Sequence, residues 1–367
     1  SRLSRGLGDV YKRQVIPFNP CMFLPFDIFY DILIMIKVTY LQRIYSCLHL
    51  LSRTHRFLVC IFILSVGFTS ADAQRSGVAL LDIAPNPFAL SISEAGSAWG
   101  QGGGNSFANP SLLVNSKRSS VEIGYTNWIA DTKNIFGSYH KKLEQRAFSI
   151  SFYSSGLQDL EQRDEPGPSN GLFSVQYLSI STAYAQSFRW FNVGASVHYL
   201  SEEIYPYRSN GYAFNLGLSR SFAKDRIHIG TAVRSLGEMQ RLDVENTPLP
   251  KAWISGLSIG LLEWNGSKNP ELPVFVRTHY DYLYPLNNES NLSQNTFINT
   301  EAYARVGVEV LVAETLQLTT GFRTGNTARP HSFGVGYILS DIRFNYAIIP
   351  FETGFGTVHS VGLQYLF

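Results

Sequence analysis

Clustered charge is scarce in this sequence. Only 16% of its 367 residues are charged, and the formal net charge is +2. After residue 73 there is no run of basic residues. Proteins that bind nucleic acid use grouped Lys and Arg side chains to contact phosphates. The composition therefore argues against a nucleic-acid partner.

Cysteine is confined to the first part of the chain. The three cysteines, Cys21, Cys47 and Cys60, all precede residue 61. The rest of the chain therefore has no disulfide, no CxxC redox pair, no cysteine zinc site and no catalytic thiol. A folded region free of thiols suits an exported protein on the periplasmic side of a bacterium.

The sequence also offers no long apolar helix near its start. Residues 57–68 form an apolar run, but a helix needs ~20 residues to span a bilayer. Basic Arg53 and Arg56 precede this run, and Ala71-Asp72-Ala73 follows it. This order is typical of a secretory signal peptide, predicted here over 51–73 with a mature start at Gln74. A buried helix or a membrane anchor is the alternative interpretation.

Residues 1–50 lie upstream of that signal. Residues 1–14 read SRLSRGLGDVYKRQ, which resembles translated adapter sequence. We therefore expect residues 1–50 to be a non-native upstream frame, and they do not enter the prediction of the fold.

What the rest of the chain has in abundance is period-two alternation. At the end of the sequence, Val361, Leu363, Tyr365 and Phe367 fall on one face of an extended strand, and small or polar residues fall on the other. Sustained period two predicts strands. Clear strands are predicted at 121–126, 148–152, 178–185, 191–199, 212–219, 301–312, 342–348 and 358–367. Weaker ones are predicted at 134–140, 227–234, 253–261, 274–282, 316–323 and 332–338.

These strands favour a 14-stranded antiparallel transmembrane β-barrel over residues 117–367. An even strand number is typical of bacterial barrels, as are short turns on one side and longer loops on the other. Short turns are predicted at 188–189, 223–225, 313–315 and 340–341. Longer connections are predicted at 156–176, 235–251 and 285–296, with 263–272 as a long exception on the short side. A soluble β-sandwich is the alternative, with its apolar faces packed between two sheets.

The alternation places charged residues on the inner face of the predicted barrel. Mixed signs there predict ion pairs that brace the interior, and a path lined by the same groups for a ligand is the alternative. The predicted lumen charge network is Glu122, Arg234, Arg277, Asp281, Glu301, Arg305, Glu309, Arg323 and Arg343.

Ahead of the predicted strands, residues 100–105 form a glycine-rich run. This run lacks the Lys-Ser/Thr of a phosphate loop, so a flexible or close-packed plug segment is the better interpretation. The plug residues singled out are Gly100, Gly102, Gly103, Gly104, Asn109 and Pro110. No catalytic, cofactor-binding or metal site is predicted, since no Gly-x-Ser-x-Gly or His-Glu-x-x-His motif occurs and the histidines are scattered singly.

Several segments resemble PorV/PorQ-type proteins of the FadL-like outer-membrane barrels. The resemblance rests on residues 95–103, on Asn109-Pro110-Ser111-Leu112-Leu113, on 213–218, 234–237 and 249–251, and on 344–359. Asn345 and Ser111 stand where Asp and Ala are common in that group, and the Asp-rich segment after the glycine run is missing.

The resemblance implies a 14-stranded barrel with an N-terminal plug over residues 74–116, and it also implies a location, partners and a function. It implies a non-enzymatic barrel in the bacterial outer membrane, bounded by lipid, that docks secretion-system proteins or cargo carboxy-terminal domains in type IX secretion. It also implies that Phe367 is the signal read by the barrel-assembly machinery. A FadL-like channel that takes up hydrophobic small molecules is the alternative function, and a soluble β-rich periplasmic protein is a third.

Overall fold

The fold is described from a computed structural model of the full chain. It describes residues 79–162, 169, 171–242, 245–264, 273–286, 301–325, 328–352 and 354–367. The predicted upstream frame and signal peptide lie outside these residues.

Strands dominate the described part of the chain, and fourteen of them close into one antiparallel barrel. Two further strands, β8 and β9, form a small separate hairpin in the connection between β7 and β10. The strands are β1 (Ser120–Asn127), β2 (Lys133–Lys142), β3 (Arg146–Gln162), β4 (Gly171–Ser187), β5 (Asn192–Ile204), β6 (Tyr207–Phe222), β7 (Ile227–Met239), β8 (Arg241–Leu242), β9 (Glu245–Asn246), β10 (Ala252–Trp264), β11 (Val274–Pro285), β12 (Tyr303–Val312), β13 (Leu316–Arg323), β14 (His331–Leu339), β15 (Ile342–Pro350) and β16 (Thr357–Leu366). The predicted 14-stranded barrel is confirmed.

The first and last strands close the barrel. β1 pairs antiparallel with β16, from Ser120 opposite Leu366 to Asn127 opposite His359. The backbone N–H of Phe367 donates to the carbonyl of Ser119 at 2.9 Å, which extends this pairing by one step. We call the end of the barrel at Ser120 and Leu366 the terminus side, and the opposite end the loop side.

Alternation along the strands separates an apolar outside from a small, polar inside. In β1, Ile123 is 56% exposed, whereas the neighbouring inner residue Glu122 is 8% exposed. In β3, Ile150 is 63% exposed beside the buried Ser149 and Ser151. An apolar outer belt of this kind has to face lipid, because water would not stabilise it.

The connections show most of the predicted asymmetry. The short turns lie on the terminus side, together with the predicted longer exception between β10 and β11. The loop expected at 156–176 is shorter than predicted. β3 continues to Gln162, and β4 already begins at Gly171. A bulge between Leu157 and Leu160 accommodates one extra residue in β3, and the pairing continues beyond it. On the loop side, β5 and β6 are joined by only Tyr205-Pro206.

Residues 79–115 contain four short helical segments. Asn86 caps the first α-helix, accepting from the N–H of Ala89 at 2.8 Å, and Pro87 occupies its first turn, where no N–H is needed. The segments are η1 (Ala79–Asp82), α1 (Pro87–Ser91), α2 (Asn105–Ala108) and η2 (Pro110–Asn115). A further 3-10 turn, η3 (Ile129–Asp131), joins β1 to β2. Among the described helices, none has the length and apolar content to span a membrane.

Candidate functional site

Residues 79–116 lie inside the barrel, and we call them the plug. The α1 helix contacts β13 to β16, and η2 contacts β2 to β6. The plug therefore contacts two separate groups of wall strands from the inside. Leu112, Leu113, Ser106, Asn109 and Ser111 in the plug are fully buried. The part of the predicted plug that the structure describes therefore fills the interior.

Wall glycines allow the plug to approach this closely. A Cβ atom on Gly194 would collide with the backbone of Pro110 and Ser111, and one on Gly217 would collide with the Asn109 side chain. A Cβ atom on Gly230 would meet the backbone of the plug at Ser97. Glycine is therefore needed at these inner positions so that the plug can approach the backbone of the wall closely.

Asn109 ties the plug to itself and to the wall. Its Oδ1 accepts from the N–H of Ser111 at 3.1 Å and from the Ser111 hydroxyl at 2.7 Å, which caps η2. Its Nδ2 donates to the carbonyls of Ser97 at 2.7 Å and of Leu218 at 3.3 Å. All of its hydrogen-bonding groups thus hold the Asn109-Pro110 turn in place.

Glu94 is the centre of the strongest charge cluster in the described interior. Its carboxylate lies 3.2 Å from Arg305 and 3.4 Å from Arg329, and it contacts Arg323. Burial would raise the pKa of Glu94, but Arg323, Arg329 and Arg305 together hold it below its ordinary value of 4.5. Glu94 therefore stays ionised and joins the plug to β12, to β13 and to the connection after β13.

Two further contacts join wall charges to the plug. Arg234 of β7 lies 3.1 Å from Asp82, a carboxyl whose pKa is raised by burial. Asp281 of β11 accepts from the Ser97 N–H at 2.9 Å and from its hydroxyl at 2.7 Å. The wall charges thus bind plug groups more than one another.

Besides the Glu94 cluster, the loop-side half of the interior holds a set of packed apolar side chains. Leu80, Leu81 and Phe107 of the plug pack there against inward side chains of β2 to β7 and of the connection before β10. We call this set the apolar cluster. It contains Leu80, Leu81, Phe107, Phe136, Tyr153, Leu200, Ala213, Met239 and Leu249.

The terminus-side half holds a polar cavity of about 210 Å³. Plug residues Asn86, Phe88, Trp99 and Gln101 form its roof. A second void, of about 40 Å³, lies within the plug and shares these four residues. The wall lining of the larger cavity is Glu122, Phe275, Arg277, Glu309, Leu311, Gln317, Ile338, Arg343, Asn345 and Gln364.

The predicted lumen residues are mostly where the alternation placed them. Glu122, Arg234, Arg277, Asp281, Arg305, Glu309 and Arg323 are buried on the inner face, and Arg343 lines the cavity. Glu301 is the correction, because β12 begins at Tyr303 and leaves Glu301 exposed before it.

The predicted plug residues all lie inside the barrel. A Cβ on Gly100 or Gly104 would collide with plug asparagines, whereas Gly102 (φ +86°) and Gly103 face wall side chains. Phe367 lies at the seam beside Tyr139 and Tyr365, and its role in assembly stays a prediction. Within the residues that the structure describes, no three His, Cys, Asp or Glu side chains are grouped as metal ligands.

Comparison with known proteins places the fold. No family model matches the sequence, and no curated protein matches it. Among solved structures, the "CymD monoaromatic hydrocarbon channel" is similar at 12% identity with a TM-score of 0.54, covering 77% of this chain and 97% of that one. The Pseudomonas putida toluene transporter TodX has 12% identity and a TM-score of 0.48, covering 76% of this chain and 98% of that one. A Pseudomonas aeruginosa FadL homologue has 10% identity and a TM-score of 0.46, covering 82% and 100%.

The likeness to CymD at 12% identity shows a similar barrel fold and nothing beyond the fold. The narrower resemblance to PorV/PorQ-type proteins stays a prediction.

Proposed function

We propose that this chain is a non-enzymatic outer-membrane channel that admits small hydrophobic molecules. The observation that carries the proposal is the apolar cluster inside the loop-side half of the barrel. Water-filled porins have polar interiors, so a buried apolar cluster inside the barrel favours an apolar cargo. The likeness to a structure described as a monoaromatic hydrocarbon channel supports the same class of cargo.

The proposed location is the bacterial outer membrane. A closed barrel with an apolar outer belt satisfies its backbone hydrogen bonds without water, which is the condition for crossing lipid with strands. The barrel architecture supports this location, and the cleavable signal peptide over 51–73 is proposed with it.

Passage through the barrel would require the plug to shift. Phe107 of the plug packs against Phe136, Tyr153 and His198 of the wall with ring centroids 4.8 to 6.1 Å apart, so the plug itself forms part of the apolar cluster. An apolar molecule in that cluster would gain roughly 25 cal/mol per Å² of surface removed from water. It would leave toward the terminus side only when plug contacts loosen.

A reversible lock on the plug tests this proposal. Ser93 in the plug and Ser332 in β14 have hydroxyl oxygens 2.8 Å apart, so Ser93→Cys with Ser332→Cys can form a disulfide between plug and wall. Thr126→Cys with Ser360→Cys is the matched control, because these hydroxyls lie 2.6 Å apart between β1 and β16 of the wall. Cys21, Cys47 and Cys60 would be changed to Ser in both.

The readout is uptake of a labelled monoaromatic hydrocarbon by cells that carry the full chain. We expect the oxidised plug lock to reduce uptake at least tenfold, reduction to restore it, and the wall control to leave uptake unchanged. Uptake no greater than in cells that lack the chain would contradict the channel proposal.

A docking component for type IX secretion is the second candidate. The observation that favours it is the tight fit of the plug, whose backbone meets wall glycines at Gly194, Gly230 and Gly321. A barrel filled in this way suits a rigid platform that presents its loops to a partner.

Capture experiments separate this second candidate from the channel. Pull-down of the tagged full chain should recover secretion-system proteins or cargo carboxy-terminal domains, and deletion of the gene should impair secretion. Normal secretion after deletion, with no such partner recovered, would remove it.

A further inference from the structure

The terminus-side cavity contains an arginine that forms no direct ion pair among the described residues. Arg277 of β11 is 6% exposed and lies on the cavity lining. Among the described residues, no carboxylate oxygen lies within 4.0 Å of its guanidinium, and its Nε has no hydrogen-bond partner. Burying an unpaired charge is costly, so a partner in the cavity would be stabilising.

Aromatic rings hold the Arg277 side chain in position. Its guanidinium carbon lies 3.4 Å from the centroid of the Trp99 ring and 5.0 Å from that of Phe275. Trp99 also contacts His228, with ring centroids 4.7 Å apart. Cation–π contacts of this kind offset part of the desolvation cost and keep the charge in place without neutralising it.

A second arginine on the same cavity has only a neutral partner. Arg343 of β15 donates through Nη1 to Oε1 of Gln101, and its Nε has no hydrogen-bond partner. Two carboxylates also line the cavity. Glu309 stands opposite Arg277 in the pairing of β11 with β12; its Oε1 accepts from Gln317 at 2.7 Å, and its Oε2 lies 3.5 Å from His279 without a hydrogen bond. Glu122 Oε2 also has no hydrogen-bond partner among the described residues.

We propose that this cavity binds a small carboxylate with a compact apolar body, held by Arg277 and Arg343. A guanidinium presents a planar fork of N–H donors that matches a carboxylate, and charge-assisted bonds of this type are strong. Phe88, Leu311 and Ile338 supply an apolar part of the lining for the body of the ligand. A dry cavity of about 150 Å³ accommodates benzene, so about 210 Å³ suffices for a ring with one carboxyl group.

This site is separate from the apolar cluster to which the proposed function assigns neutral molecules. It lies on the terminus side, whereas the apolar cluster lies on the loop side, and its ligand class carries a charge. Binding to it is measured on purified protein and needs no transport.

The test uses the full chain in detergent, titrated with sodium benzoate and, separately, with benzyl alcohol as the neutral analogue of similar shape. Calorimetry measures binding directly. Tryptophan fluorescence is a second readout, because Trp99 forms part of the roof of the cavity. We expect benzoate to bind and benzyl alcohol to bind at least tenfold more weakly.

The variants Arg277→Met and Arg343→Met should each weaken benzoate binding by about 30-fold or more, as expected when one partner of a buried charge pair is removed. Arg220→Met is the matched control, because Arg220 stacks on Trp190 and Phe222 in the same manner but lies on the exposed outer face. Heat-modifiable gel mobility shows that each variant is folded.

Three results would overturn the site. They are equal binding of benzoate and benzyl alcohol, no binding of benzoate by the folded protein, and benzoate binding that is unchanged in folded Arg277→Met. Benzoate binding without hydrocarbon uptake would remove the channel proposal and leave this site intact.

Discussion

Glu94 carries more of the plug's attachment than any other described residue. Three arginines converge on its carboxylate, and Arg305 also donates to its backbone carbonyl at 3.2 Å. Glu94→Gln keeps the shape but leaves buried cations unpaired, so we expect a loss of about 3–5 kcal/mol in the free energy of unfolding. Denaturant unfolding of the purified barrel measures it. Asp341→Asn is the control, because its pair with Arg118 is exposed and is worth at most about 1 kcal/mol.

The same carboxylate predicts a pH dependence. Its pKa is lower in the folded protein than its ordinary value of 4.5, so its contribution is complete above that value and is lost as pH falls toward the folded pKa. The stability difference between the native protein and Glu94→Gln should be constant near neutral pH and shrink in acid. A difference that grows as the pH falls would contradict this assignment.

Glu94 is also what the sequence could not indicate. Alternation placed Arg305 and Arg323 on the inner face, because a strand has only two faces. It could not say which group meets them, since their partner lies in a segment without regular periodicity and more than 200 residues earlier in the chain. The predicted bracing between wall charges is therefore replaced largely by contacts from the wall to the plug.

At the level of elements, the plug and the inner wall fit through glycine. Gly194→Ala places a Cβ against the backbone of Pro110 and Ser111, which cannot rotate away. We expect a loss of about 1–3 kcal/mol, typical of overpacking, together with faster proteolysis within residues 79–116. Gly156→Ala is the control, because the nearest atom to its Cβ would be the Val175 oxygen at 3.8 Å. Equal effects of the two substitutions would contradict a tight fit.

The strands could be predicted from the sequence, whereas the path of the plug could not, because the two have different surroundings. Lipid outside and small polar groups inside impose period two on segments such as 178–185 and 358–367. The plug is surrounded by protein on all sides, so its sequence follows local contacts such as the Asn109 cap. The inner-face glycines Gly194, Gly217 and Gly230 were a usable signal, because several strands carry one where the plug passes.

At the scale of the whole molecule, closure depends on the seam between β1 and β16. We propose that Phe367 also directs assembly, and Phe367→Ala tests it, with Phe355→Ala, an exposed phenylalanine in the last connection, as the control. We expect several-fold fewer assembled barrels in cells for Phe367→Ala, while the purified, refolded variant unfolds at nearly the native temperature. A similar loss in refolded protein would instead assign Phe367 a structural role at the seam.

The outer belt gives the most direct test that the whole barrel sits in lipid. Ile123 lies in the middle of β1 and is 56% exposed, whereas Ile342 begins β15 at the terminus-side rim and is 40% exposed. Arginine on a lipid face costs about 2–4 kcal/mol at the bilayer midplane and about 0–1 kcal/mol near the interface. Unfolding in lipid vesicles should therefore show a large loss for Ile123→Arg and a small one for Ile342→Arg. Because both positions are exposed isoleucines, similar small losses would mean that water, not lipid, surrounds the barrel.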